Sequence, residues 1–153
     1  MWLSGIPLLT ISTIALALVG LVAFGLLRST NPRSVYSDTF HEKPSADVQH
    51  LHSRVWSFAD SGHVFLRFEA SPETFHRILP KAMQKVSYSD YKRKMPGNNL
   101  DPPSWWQPPT ASTSEIYLRV PEYGHGDHFA SETTLMSYDA PTKTALYFYL
   151  GID

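Results

Sequence analysis

Residues 50–79, HLHSRVWSFADSGHVFLRFEASPETFHRIL, decide the fold. From Leu51 to Phe58 the chain alternates, with His52, Arg54, Trp56 and Phe58 on one side and Leu51, Ser53, Val55 and Ser57 on the other, the period of a strand. Asp60-Ser61-Gly62 is a turn signal, and His63 to Glu69 reads as a second strand returning as a hairpin. Val64, Leu66 and Phe68 are expected toward the core, with Phe65, Arg67 and Glu69 opposite. Ser71 is a good helix N-cap, Pro72 suits the first helical position, and Glu73 complements the positive helix end. Phe75, Ile78, Leu79, Ala82 and Val86 follow at spacings of three and four, one apolar stripe. Pro80 would break the hydrogen-bond ladder in mid-helix, so the helix either ends near Leu79 or kinks there.

Downstream, Ser87 to Lys94 is polar with two tyrosines and reads as loop or frayed helix. Residues 95–109, MPGNNLDPPSWWQPP, carry too many prolines for a regular element. Three further strands are expected at Ser114–Val120, Ala130–Tyr138 and Lys143–Leu150, with a Gly- and His-containing loop from Glu122 to His128 and a turn at Asp139–Thr142. The order β-β-α-β-β-β predicts an α+β domain over residues 50–153: a small antiparallel sheet with one helix packed on it, in two layers. The last strand, TALYFYLG, is apolar on both faces, which places it centrally in the sheet or against a partner.

Upstream, residues 29–49 are polar with two prolines and no sustained period, and read as a flexible tether. Residues 1–28 read as a transmembrane anchor. From Ile6 to Leu27, IPLLTISTIALALVGLVAFGLL, no residue is charged. At about 1.5 Å per residue the run spans roughly 30 Å, the thickness of a hydrocarbon core. Trp2 and Arg28 suit the two membrane–water interfaces. A cleaved signal peptide fits less well, because the run exceeds an ordinary h-region and neither a basic n-region nor an A-x-A-like site flanks it. The chain is therefore expected in a membrane as a single-pass protein. Arg28 and Arg33 favour a cytoplasmic domain by the positive-inside rule, yet domains on one N-terminal anchor are commonly translocated in bacteria, and the expected side is extracytoplasmic.

Net charge of -1 and a pI near 6.6 leave no electrostatic case for nucleic acid. With 0 Cys, disulfides, thiolate metal sites and thiol nucleophiles are excluded. No G-x-S-x-G, P-loop or dinucleotide-binding glycine pattern occurs. Glu69, Glu115 and Glu132 fall on expected strands and are expected to face solvent. Three places could carry function. His125, Asp127 and His128 in the Gly-flanked loop could ligate zinc or another divalent metal, with His50 or His52 adding a third imidazole. Trp105 and Trp106, framed by Pro102-Pro103 and Pro108-Pro109, form either a recognition surface or a cover for an open sheet face. Lys92-Arg93-Lys94, with Lys81 and Lys85 upstream, could touch anionic lipid, though such a run is more often a solvated surface.

The anchor, the segment VFLRFEASPETFHRIL, the loop PPSWWQPP and the closing hairpin LMSYDAPTKTALYFYLGID together resemble small uncharacterised bacterial membrane-anchored envelope proteins. The resemblance implies no activity. Three readings follow: a membrane-anchored accessory or interaction module, such as a subunit of a membrane complex, whose partners would be the bilayer and a membrane protein; a metal-dependent envelope enzyme using His125, Asp127 and His128; and a small-ligand sensing domain closed by the aromatic loop.

Overall fold

The computed structural model describes residues 31–58, 61–95, 101–119 and 132–152. They form an α+β fold of three helices and a six-stranded antiparallel sheet. The elements in chain order are α1 (Pro32–Phe40), β1 (Gln49–Phe58), β2 (Ser61–Glu69), α2 (Pro72–Ile78), β3 (Gln84–Lys85), α3 (Tyr88–Lys94), β4 (Glu115–Arg119), β5 (Thr133–Asp139) and β6 (Thr144–Ile152). The sheet order is β1-β2-β6-β5-β4-β3. The N-terminal hairpin β1–β2 and the C-terminal hairpin β5–β6 thus meet where β2 pairs with β6. The doubly apolar last strand is central, as its composition requires.

Register sorts the side chains into two faces, and both are covered. On the first, Leu66 and Phe68 of β2 align with Tyr147 and Ala145 of β6, which align with Met136 and Tyr138 of β5. Helices α1 and α2 close over this face with Tyr36, Phe75 and Ile78. On the second, Phe65, Phe148, Leu135 and Leu118 stand in one row across β2, β6, β5 and β4. Tyr91 of α3, Trp105 and Trp106 close over it. The expected single-helix, two-layer arrangement is therefore too simple. Phe65, expected opposite the core, is only 3% exposed because that side has a core of its own.

The helices form where local chemistry dictates. The Ser71 hydroxyl accepts from the Thr74 amide at 3.2 Å and starts α2. Helix α2 stops at Ile78, before Pro80, so the apolar stripe is cut: Phe75 and Ile78 stay on the first face, while Val86 passes to the second. Ser87 caps α3 in the same way, accepting from the Asp90 amide at 3.1 Å, so the expected loop or frayed helix is a short ordered helix.

The segment expected as a tether carries α1. Asn31 caps it by accepting from the Arg33 amide at 3.0 Å, and Pro32 occupies the first helical position. Val35, Tyr36 and Phe40 bury against the sheet, and the Tyr36 ring meets Phe40 at 4.7 Å and Phe68 at 5.3 Å, edge to face. The chain after α1 is clasped to α2: Asp47 accepts from the Ser45 hydroxyl at 2.7 Å and from the Ser71 amide at 3.1 Å, and Arg77 donates to Glu42 at 3.0 Å. Among the described residues no helix is long and apolar enough to cross a membrane; the expected anchor, residues 1–28, lies outside them.

Two predictions follow from this docking. The Tyr36 side chain is 0% exposed and its hydroxyl finds no partner among the described residues. Burial first, then the Glu42 carboxylate, pushes its pKa up to about 12. Tyr36→Phe should therefore be neutral or stabilising by about 1 kcal/mol, while Tyr36→Ala should cost roughly 3–5 kcal/mol in denaturant unfolding. Equal losses from both would contradict the packing. Hydrogen bonds from the Ser45 hydroxyl and the Ser71 amide hold the Asp47 carboxyl well below the usual carboxylate range. A depressed folded pKa stabilises the fold above the unfolded value of about 3.9, and that contribution drains away as pH falls below it. Asp47→Asn should cost about 1.5–3 kcal/mol at pH 7, and the gap to wild type should narrow between about pH 4 and pH 2.

Candidate functional site

The Pro–Trp-Trp–Pro loop crosses the second face from the β1 edge. Arg54 of β1 holds its start through Asp101, with Nη1 on the Asp101 carbonyl at 3.2 Å and Nη2 on the carboxylate at 3.3 Å. Pro103 is buried, and its carbonyl accepts from the Trp106 amide at 2.8 Å, closing a turn that sends both indoles down. Trp106 meets Phe65 edge to face at 5.0 Å and Phe148 at 6.3 Å. Trp105 stacks on His52 at 5.6 Å, and its carbonyl accepts from Arg67 Nη1 at 3.3 Å. Both rings are half-buried. Of the two roles open to them from sequence, the geometry gives Trp106 the covering one and leaves Trp105 nearer the rim.

The loop covers the apolar rows and leaves polar ones open. Next to the row Phe65–Phe148–Leu135 comes Arg67–Leu146–Ser137, and then Glu69–Thr144–Asp139. These two rows floor a cleft of about 430 Å³, walled by Gln107 to Thr110 and by Ser112 and Thr113. Among the described residues, no carboxylate is ion-paired to Arg67; its polar contact is the Trp105 carbonyl. Glu69 meets His50 Nδ1 at 3.0 Å, and Asp139 accepts from the Thr142 hydroxyl at 2.6 Å. A guanidinium, two carboxylates and several hydroxyls over a sheet floor can hydrogen-bond a polar group of small-molecule size.

The sequence missed this cleft. Arg67 and Glu69 lie on the side of β2 expected to face solvent. The available signal was the double apolarity of TALYFYLG, which requires a cover on that same side.

The expected metal site is placed only in part. His125, Asp127 and His128 lie outside the described residues. His50 and His52, considered as further ligands, do not converge: His50 sits at the bulge of β1 with φ 47° and meets Glu69, whereas His52 stacks on Trp105. Among the described residues no group of three His, Asp or Glu side chains could hold a metal ion. Lys92, Arg93 and Lys94 are exposed at the end of α3, where they face the negative helix end.

The strand glutamates are paired rather than simply solvated. Glu115 is 19% exposed and receives Lys85 Nζ at 3.1 Å, the Tyr117 hydroxyl at 2.6 Å and His76 Nε2 at 3.3 Å. Burial alone would raise its pKa; the Tyr117 hydroxyl and Lys85 outweigh burial and lower it. This cluster ties α2 and β3 to β4. Glu132 accepts from the Tyr149 hydroxyl at 3.3 Å and faces Arg119 at 3.7 Å.

No family model, curated protein or solved structure matches the chain, so no activity comes to these residues from a relative.

The two tryptophans should separate by stability. Trp106→Ala should cost about 3 kcal/mol, at the lower end for truncating a core ring, and Trp105→Ala about 1 kcal/mol, read from denaturant midpoints. Near-neutral effects from both would show that neither ring seals the second face.

Proposed function

We propose that the chain is a non-enzymatic, membrane-held interaction module, an accessory subunit of a larger membrane complex, with its domain on the extracytoplasmic side. The observation that carries this reading is the burial of α1. The uncharged run ends at Leu27, and by Val35 and Tyr36 the chain is already inside the domain core. A bilayer-spanning run joined so directly to a core helix would hold the domain at the membrane surface, as a fixed subunit needs. In this reading the cleft beside the Pro-rich loop is the recognition surface. Proline-stiffened walls lose little conformational freedom when a partner binds.

The cleft also favours a second reading, a small-ligand sensing domain. Its volume of about 430 Å³ lies in the range of small-molecule sites, and its lining is rich in hydroxyls. Gln107 separates binding from folding, because it lines the cleft and is itself exposed.

The test is purification of tagged full-length protein in native nanodiscs, with mass spectrometry and metal analysis on one sample. The module reading expects a stoichiometric membrane-protein partner that Gln107→Arg releases without lowering the melting temperature. Zinc or another transition metal near one per chain, without a partner, would overturn it in favour of the metal-dependent alternative at His125, Asp127 and His128.

A further inference from the structure

A second depression lies on the first face, beside α1. It measures about 410 Å³ and is lined by Val35, Asp38 and Thr39 of α1, Val55 of β1, Val64 of β2, and Tyr147 and Tyr149 of β6. Asp38 is the one charged residue in this lining. The depression is structurally fixed. Tyr149 occupies space that a glycine leaves open, since a Cβ at Gly151 would collide with its phenol, and its hydroxyl donates to Glu132. At the rim, edge strand β1 exposes Val55, at 37%. Trp56, the other exposed large hydrophobic among the described residues, stands on the opposite face of the strand, stacked on His63 at 5.2 Å.

We infer that this apolar surface seats against the bilayer itself, in the interfacial zone of an uncharged lipid leaflet. The inference rests on the membrane-held reading above and adds an orientation to it. Chain length supplies the argument. Between Leu27 and Pro32 lie only Arg28, Ser29, Thr30 and Asn31. Five extended steps reach at most about 18 Å, and Val35 lies about 5 Å further along the helix. The headgroup zone takes roughly 5–8 Å of that reach. A domain of this size is about 35 Å across, so this reach keeps Val35 and the surface beside it in the half of the domain nearer the bilayer. That surface is where the exposed valine and the apolar depression lie. A sheet edge resting at the interface is shielded from pairing with other chains. The lining carries Asp38 and no basic residue, so the fit is to acyl and glycerol groups rather than to anionic headgroups.

The natural absence of Cys allows single-site labelling of the full-length chain. Val55→Cys, Lys92→Cys on α3 across the sheet, and Ala17→Cys in the apolar run are each labelled with an environment-sensitive fluorophore. Each is reconstituted in phosphatidylcholine vesicles containing a doxyl-labelled lipid quencher. Quenching at residue 55 at least three-fold above residue 92, together with strong quenching at residue 17, is the expected result. Quenching at 17 with residues 55 and 92 alike would overturn the orientation and leave the anchor standing. Quenching at none of the three would remove the anchor and the orientation with it. A gain at residue 55 only when anionic lipid is added would replace the uncharged interface by headgroup attraction and overturn the stated chemistry.

Discussion

The structure depends on one constraint: strand β6 is apolar on both faces, and its neighbour β2 carries large rings on both. A strand with Phe65 on one side and Leu66 and Phe68 on the other cannot lie at the surface of a two-layer sandwich without exposing large rings to water. Each fully buried ring or branched side chain is worth about 1.5–3 kcal/mol, so leaving either face open would forfeit a large part of a small domain's stability. The sheet must be covered twice. Two helices supply one cover, and a third helix with a proline-rich loop supplies the other. The clasp at Asp47 ties the chain after α1 to α2, and the Arg54–Asp101 clamp and the Glu115 cluster each fasten a cover to the sheet.

This division explains where the polar features lie. The loop seals the ring-bearing rows on the second face and stops short of the rows holding Arg67, Glu69 and Asp139. The cleft is the part of a sheet face that needs no apolar cover and so can be given to recognition. On the first face α1 seals Phe68 but leaves a depression toward Val55 and Val64. Of the two openings, one is polar and lies under a stiff loop. The other is apolar and lies beside the helix that follows the uncharged run. Their different chemistry suits the different partners proposed for them.

Much of this was legible in the sequence because the local signals were strong. The hairpin at 51–69 was marked by strict alternation, α2 by Ser71-Pro72, and the centrality of β6 by its double apolarity. The two-residue strand β3 was too short to show a period. Helix α1 was hidden by polar residues, since only Val35, Tyr36 and Phe40 reach the core; its one clear mark was Asn31-Pro32, a cap followed by a proline at the first helical position. The second face was missed because alternation on β2 was read as one side in and one side out. In the candidate site, Trp105 and Trp106 were legible as a pair, but their separate roles depend on which strand row each ring meets, and that is set by register between distant segments. Arg67 gains its place in the cleft in the same way, through pairing with Leu146.

The central claim is that α1 is part of the folded core, so that the chain passes almost directly from the uncharged run into the domain. Amide hydrogen exchange on the full-length protein in nanodiscs tests it most directly. The account predicts that amides from Val35 to Phe40 exchange as slowly as those of α2, orders of magnitude below free-chain rates. Exchange of that segment at free-chain rates, with β2 and β6 still protected, would show a loose tether and contradict the account.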